Sequence, residues 1–178
     1  MSGERTRKLR WTDFIGSSIA GALFIGQIVL CVLFYNWGGL DALLYLGWAI
    51  LAVGMVLGWM ARVAFQSKGK ALEGESWLHT TVVVGSGIYA VVRHPMYLSF
   101  ILFILALVLI SQHWLNAIFG VVAMALIYTD ILKEDRSNVE KFGDEYKRYQ
   151  RTVPKANLIL GIIRLLWRGA RRGSSARE

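Results

Sequence analysis

Arg93-His94-Pro95, with Tyr89 four residues before Arg93 and Tyr97 two after Pro95, is the part of this sequence best equipped for chemistry. A guanidinium, an imidazole and two phenols stand immediately before a long uncharged run. Ionisable groups at the mouth of such a run are costly unless they bind something. Pro95 suits the first position of a helix, where a missing N–H costs nothing. The helix start it creates offers free N–H groups to a carboxylate or phosphate. A second polar cluster follows the run: Lys133-Glu134-Asp135-Arg136, then Phe142-Gly143-Asp144-Glu145-Tyr146-Lys147-Arg148-Tyr149, closing at Val153-Pro154. Two polar clusters separated by an apolar hairpin meet at one membrane face.

The elements that must position them follow from charge and hydropathy. The chain has 178 residues, 55% of them hydrophobic, and a mean hydropathy of +0.45, too apolar for an ordinary soluble domain. Asp41 is the only charge between Asp13 and Arg62, and none lies between Arg93 and Asp130. A helical span needs about 20 apolar residues. The first stretch therefore reads as two spans, Phe14–Asn36 and Ala42–Phe65, turning at Trp37-Gly38-Gly39 and Asp41. The second reads as two shorter ones, Pro95–Ile110 and Trp114–Leu132, hinged at Ser111-Gln112-His113. The expected fold is an all-α integral membrane domain over 1–178, with four transmembrane helices, cytoplasmic catalytic segments and a C-terminal amphipathic helix. Its parts are a first hairpin (14–65), a catalytic half containing the second hairpin (80–154), and an interfacial helix and tail (155–178).

Lysine and arginine fix the orientation. Every one of the 20 basic residues precedes span one, lies near or between spans two and three, or follows span four. Neither outer turn holds any. Both termini and both polar clusters are thus expected in the cytoplasm. The +8 net charge is accounted for by topology and by anionic headgroups, so a nucleic-acid partner is not expected. The first apolar run is too long for a signal peptide and lacks a cleavage site. Cys31 reads as a small core residue, His113 as an interfacial polar residue on the outer turn, and no cluster has metal-ligand spacing.

Thr80–Val84 is β-branched and too short to span, so it should be extended backbone lining a cavity, with Gly85-Ser86-Gly87 as a turn. That segment formally matches a dinucleotide fingerprint, but no carboxylate follows until Asp130, and the soluble βαβ context is missing. Glu134–Arg151 has helix-forming composition, with Phe142, Tyr146 and Tyr149 spaced to share one face. Leu158–Arg172 alternates aliphatic residues with Arg164, Arg168, Arg171 and Arg172 as a headgroup-plane helix would. Trp77 in the connector 66–80 suits an interfacial anchor, and the polar tail Gly173–Glu178 is expected to be disordered.

The run Gly87-x-Tyr89-x-x-x-Arg93-His94-Pro95-x-Tyr97, followed by Glu134-Asp135, Phe142-Gly143-x-x-Tyr146-x-x-Tyr149 and Val153-Pro154, resembles the isoprenylcysteine carboxyl methyltransferase family. The phospholipid N-methyltransferases are similar. The resemblance covers Thr80 to Pro154, with two departures. Thr81 stands where the family often has a histidine, and Glu134-Asp135 replaces paired glutamates. It implies an integral membrane enzyme that binds S-adenosylmethionine at the cytoplasmic face and methylates a lipophilic acceptor, such as an isoprenylcysteine carboxylate, a phospholipid amine or a small apolar thiol. The implied cofactor contacts are Val84, Gly87, Tyr89, Arg93, His94, Pro95, Tyr97, Glu134, Asp135 and Tyr146. Of these, Arg93, His94 and Glu134 are the implied catalytic residues. Glu134 and Asp135 suit the cofactor's ammonium, Arg93 and the Pro95 helix start its carboxylate, and Tyr89, Tyr97 or Tyr146 its sulfonium. The Arg-His-Pro and Tyr-x-x-x-Val-Pro pieces also resemble NADPH-dependent sterol reductases, although this chain is short for that family. A non-catalytic membrane adaptor is the remaining alternative.

Overall fold

Uncharged runs of this length leave the backbone no water to bond, so each must satisfy its own N–H and C=O groups as a helix. The computed structural model describes residues 11–68 and 82–174. It shows α1 (Trp11–Leu33), α2 (Asp41–Lys68), a short 3-10 turn (Gly87–Ala90), α3 (Pro95–Ser111), α4 (Trp114–Phe142), α5 (Asp144–Thr152) and α6 (Leu158–Ser174), with no strand among the described residues. Among the described residues three helices, α1, α2 and α4, are long and apolar enough to cross a membrane. α3 is as apolar but only 17 residues long. α2 takes in the first three residues of the expected connector, 66–68; the rest of it, with Trp77, and Thr81 lie outside the described residues, as do the last four residues, and Val82–Gly85 are not helical.

The bundle is apolar on the outside and locally polar within. Ile25, Val32, Tyr45, Trp59 and Val121 point outward, while Gln27, Ser99, Ser111 and Asn116 are buried. Such an arrangement suits a lipid solvent, where apolar surface gains nothing by hiding. α2 meets α3 through small residues. A Cβ on Gly47 would lie 3.1 Å from the Ala106 carbonyl, and one on Gly58 would lie 3.1 Å from the Ser99 hydroxyl. Close helix contact of this kind is how membrane bundles gain packing energy.

At the end away from the polar clusters, Gln112 adopts a left-handed conformation and closes α3. Its side chain donates to Asn36 Oδ1 (2.8 Å) and the Leu40 carbonyl (2.9 Å), and accepts from the Leu40 N–H (3.0 Å). His113, expected as an interfacial polar residue, lies in the turn between α3 and α4 with its side chain covered by protein. It is buried, stacks on Phe34 at 4.0 Å, and caps α4 by accepting from the Leu115 N–H. Its ring is amphipathic enough to fill an apolar gap while serving one backbone donor. Cys31 is buried against Leu44 and Ile110.

α4 runs ten residues past the expected end of its span, to Phe142, so Glu134 and Asp135 sit inside a helix rather than at a helix start. The break comes at Gly143, whose φ of 58° and ψ of −130° are open to glycine alone at low cost. Phe142 therefore belongs to a different helix from Tyr146 and Tyr149. α6 extends to Ser174, taking in Gly173 and Ser174.

Candidate functional site

The segment 87–94 is held from both sides. Gly87 enters the 3-10 turn with φ of 64°, and Ile88, Tyr89 and Val92 pack on Leu57 and Ala61 of α2. The Arg93 N–H donates to the Pro154 carbonyl (3.0 Å) and the His94 N–H to that of Lys155 (3.1 Å). The Tyr149 hydroxyl donates to the Tyr89 carbonyl at 2.6 Å. Tyr149 of α5 and the residues that follow α5 thus fix the backbone that carries the arginine and histidine.

Asp135 is the electrostatic centre. Its Oδ1 accepts from Arg93 Nη1 (2.9 Å), His94 Nε2 (2.8 Å) and the Tyr146 hydroxyl (2.8 Å), and Lys155 Nζ lies 3.4 Å from Oδ2. The side chains of Arg93, His94 and Asp135 are 9%, 2% and 10% exposed. Burial opposes a charge on His94, but the hydrogen bond to Asp135 and the proximity of Glu134, 3.7 Å from Nδ1, outweigh it. The imidazole is raised above its ordinary value, which favours the imidazolium. Burial likewise raises the phenols of Tyr89, Tyr146 and Tyr149, keeping them neutral donors.

Two cavities adjoin this network. One, about 170 Å³, is lined by Val82–Val84, Asn138, Phe142, Tyr146 and Tyr149. The other, about 410 Å³, is lined by His94, Pro95, Met96, Tyr97 and Phe100. Phe65, Tyr89, Arg93 and Glu134 belong to both. Val84, Tyr89, Arg93, His94, Pro95, Tyr97, Glu134 and Tyr146 are thereby brought to one place, while Gly87 and Asp135 line neither cavity. Gly87 shapes the turn, and Asp135 is enclosed by its own partners. Glu134, its neighbour, is 44% exposed and faces both spaces. Phe65, Asn138 and Phe100 were not anticipated. Asn138 lies one helical turn beyond Glu134, a spacing that could have pointed to it.

Two features of the site suit a zwitterionic ligand. Arg93 Nε is buried without a hydrogen-bond partner among the described residues, a vacancy a carboxylate would fill. The Glu134 carboxylate is accessible beside it. Among the described residues no group of three or more His, Cys, Asp or Glu side chains could hold a metal ion.

Comparison with known proteins gives three kinds of result. The profile of the phospholipid methyltransferase family matches residues 42–145. The chain is similar to methanethiol S-methyltransferase 1 of Bradyrhizobium diazoefficiens (31% identity over 170 residues, 82% of this chain and 57% of that protein). It is also similar to methanethiol S-methyltransferase of Pseudomonas deceptionensis (27% over 161 residues, 80% and 61%). A shorter match, 32% over 74 residues, covers 41% of this chain and 31% of protein-S-isoprenylcysteine O-methyltransferase of Schizosaccharomyces pombe. The chain thus spans less than two thirds of the length of each of these relatives. No solved structure matches.

Proposed function

The chain belongs to the phospholipid methyltransferase family, and on that premise we propose that it transfers a methyl group from S-adenosylmethionine to a lipophilic acceptor at the cytoplasmic membrane face. The observation that carries this reading is the pair of cavities sharing a wall of Tyr89, Arg93 and Glu134. A two-substrate reaction needs two compartments that meet at the reacting atoms. The space lined by Asn138, Tyr146 and Tyr149 suits the polar cofactor; the one lined by Pro95, Met96 and Phe100 suits the acceptor.

Arg93 would hold the cofactor carboxylate through its unpaired Nε, and Glu134 the ammonium. Tyr89 and Tyr146 offer aromatic surface to a cation. Bound there, S-adenosylmethionine supplies an electrophilic methyl group on a sulfonium. Arg93, His94 and Glu134 remain the proposed catalytic set, Arg93 and Glu134 touching both compartments and His94 the acceptor's. Asp135 acts through them, as the anion that fixes Arg93 and His94. Alignment and exclusion of water by Phe65 and the tyrosines would supply most of the acceleration. The names of the relatives favour a sulfur acceptor or an isoprenylcysteine carboxylate, with a phospholipid amine as the third choice.

The same reading places α1 to α4 as four spans with both ends in the cytoplasm, α3 crossing despite its length. α6 lies in the headgroup plane, since Ile159, Ile163, Leu166 and Trp167 are exposed. Calorimetry on detergent-purified protein tests the reading. Binding of S-adenosylmethionine, with transfer of label to an alkanethiol, is expected; binding of NADPH instead, or of neither, would overturn it.

A further inference from the structure

A third cavity, about 250 Å³, lies between α1, α3 and α4. Tyr97 and Phe100 line it and also line the proposed acceptor cavity, so the two spaces share a wall. Its α1 side lies outside the segment that the family profile matches. The chamber has a polar end and an apolar end. Ser17 donates to Asp130 Oδ2 (2.8 Å) and Lys133 Nζ to Asp130 Oδ1 (3.0 Å). Ser17 and Asp130 sit near the helix ends that carry the polar clusters, while Phe24, Ile104 and Ile127 lie further along the bundle. Gly21 and Phe100 are exposed, leaving the chamber open sideways between α1 and α3.

A one-carbon thiol would leave most of this space unfilled. An apolar protein cavity of ~150 Å³ admits benzene, and by that ratio this one takes roughly ten carbons. Resting on the methyl-transfer reading above, we propose that the chamber holds the single hydrocarbon tail of the methyl acceptor, threaded past Tyr97 and Phe100, and that Gly21 and Phe24 set its length. The substrate class is then a one-tailed amphiphile with its nucleophile at Glu134. A tail arriving from the bilayer gains little by leaving lipid, so fit to the chamber, and not hydrophobicity, decides the length preference.

Gly21 is a suitable lever, because a Cβ there meets nothing within 4 Å. Gly21→Phe would fill the chamber, and Phe24→Ala would lengthen it. The test uses the full chain in detergent micelles with alkanethiols of increasing length, plus a decanethiol bearing a terminal diazirine. Cross-links are mapped by peptide mass spectrometry without cofactor. The photolabel is expected on Phe24, Ile104 or Ile127. Gly21→Phe should abolish that label and shift turnover towards the shorter thiols, because the tail no longer fits, and leave S-adenosylmethionine affinity unchanged. Phe24→Ala should move the preferred thiol to a longer chain. Label confined to outward residues such as Val29 or Val121, as for an annular lipid only, or a length profile that neither variant moves, would overturn the proposal. Chamber labelling without cofactor binding would instead overturn the methyl-transfer reading and leave the tail site standing.

Discussion

Asp135→Asn should be the most damaging isosteric change in this chain. Three donors converge on Oδ1, from Arg93, His94 and Tyr146, and Lys155 approaches Oδ2. An asparagine keeps the volume and removes the negative charge. Arg93 and His94, 9% and 2% exposed, would then be cationic groups with only the half-solvated Glu134 near. Breaking a buried pair by removing one partner typically costs 3–5 kcal/mol, because the surviving charge is stranded. The Lys155 contact is 29% exposed on the lysine side, and an exposed pair adds at most about 1 kcal/mol. A loss of about 4 kcal/mol is therefore expected. Tyr146→Phe, which removes one donor from the same oxygen, should cost about 1.5–3 kcal/mol. The double variant should cost less than the sum, since the two share an acceptor. Equilibrium unfolding by SDS titration in mixed micelles measures all three. A loss under about 1 kcal/mol for Asp135→Asn, or strict additivity with Tyr146→Phe, would refute the idea that this carboxylate holds the site together.

Glu134→Gln should do the opposite: stability is retained, and S-adenosylmethionine affinity falls roughly ten- to a hundredfold, the value of a hydrogen bond to a charged group, read by calorimetry. His94 contributes stability that is fully present below its unfolded pKa of about 6.5 and lost as pH rises through its elevated folded value, because Asp135 and Glu134 overcome burial. The unfolding midpoint should therefore fall as pH rises through that window and level off above it, and His94→Asn should flatten the slope. Gly161→Val would drive a Cβ into the Val91 carbonyl. It should lift α6 and reduce turnover of membrane-dissolved acceptors while cofactor binding persists, so equal loss of both would sink that role for the tail. A cysteine introduced at Gly39, with Cys31 removed, should label only from outside the cell; labelling from the cytoplasm would refute the four-span topology.

The helices were legible because uncharged runs leave the backbone no alternative, and Asp41 and the Ser111–His113 hinge interrupt those runs. The end of α4 was not. Its polar continuation suits a helix as well as a loop does, and only the conformation of Gly143 stops it. The division of labour between Glu134 and Asp135 could not be read either. Neighbours on a helix point about 100° apart, so the sequence shows an acid pair and the fold decides which acid meets cations and which faces the cavities. Phe65 was hidden for a related reason. It lies at the end of a span recognisable only by hydrophobicity, and its place above both cavities depends on how α2 packs against the turn at Gly87–Ala90. The small residues of α2 that allow that packing were visible as letters. Without a partner helix in view, nothing distinguished Gly47 and Gly58 from turn glycines.

The two backbone hydrogen bonds from Arg93 and His94 to Pro154 and Lys155 bear on how this protein is born. During translation the apolar helices can enter the bilayer as their residues emerge, N-terminal pieces first. The turn that carries Arg93 is made early, yet the groups that grip it, from Tyr146 to Lys155, are made some 60 residues later, the separation between Tyr89 and its partner Tyr149. A nascent chain that has inserted its spans still lacks a finished site. On that order of synthesis the site closes last, and a fragment that stops before Pro154 would keep Asp135 beside Arg93 but lose the two carbonyls that fix the backbone carrying it.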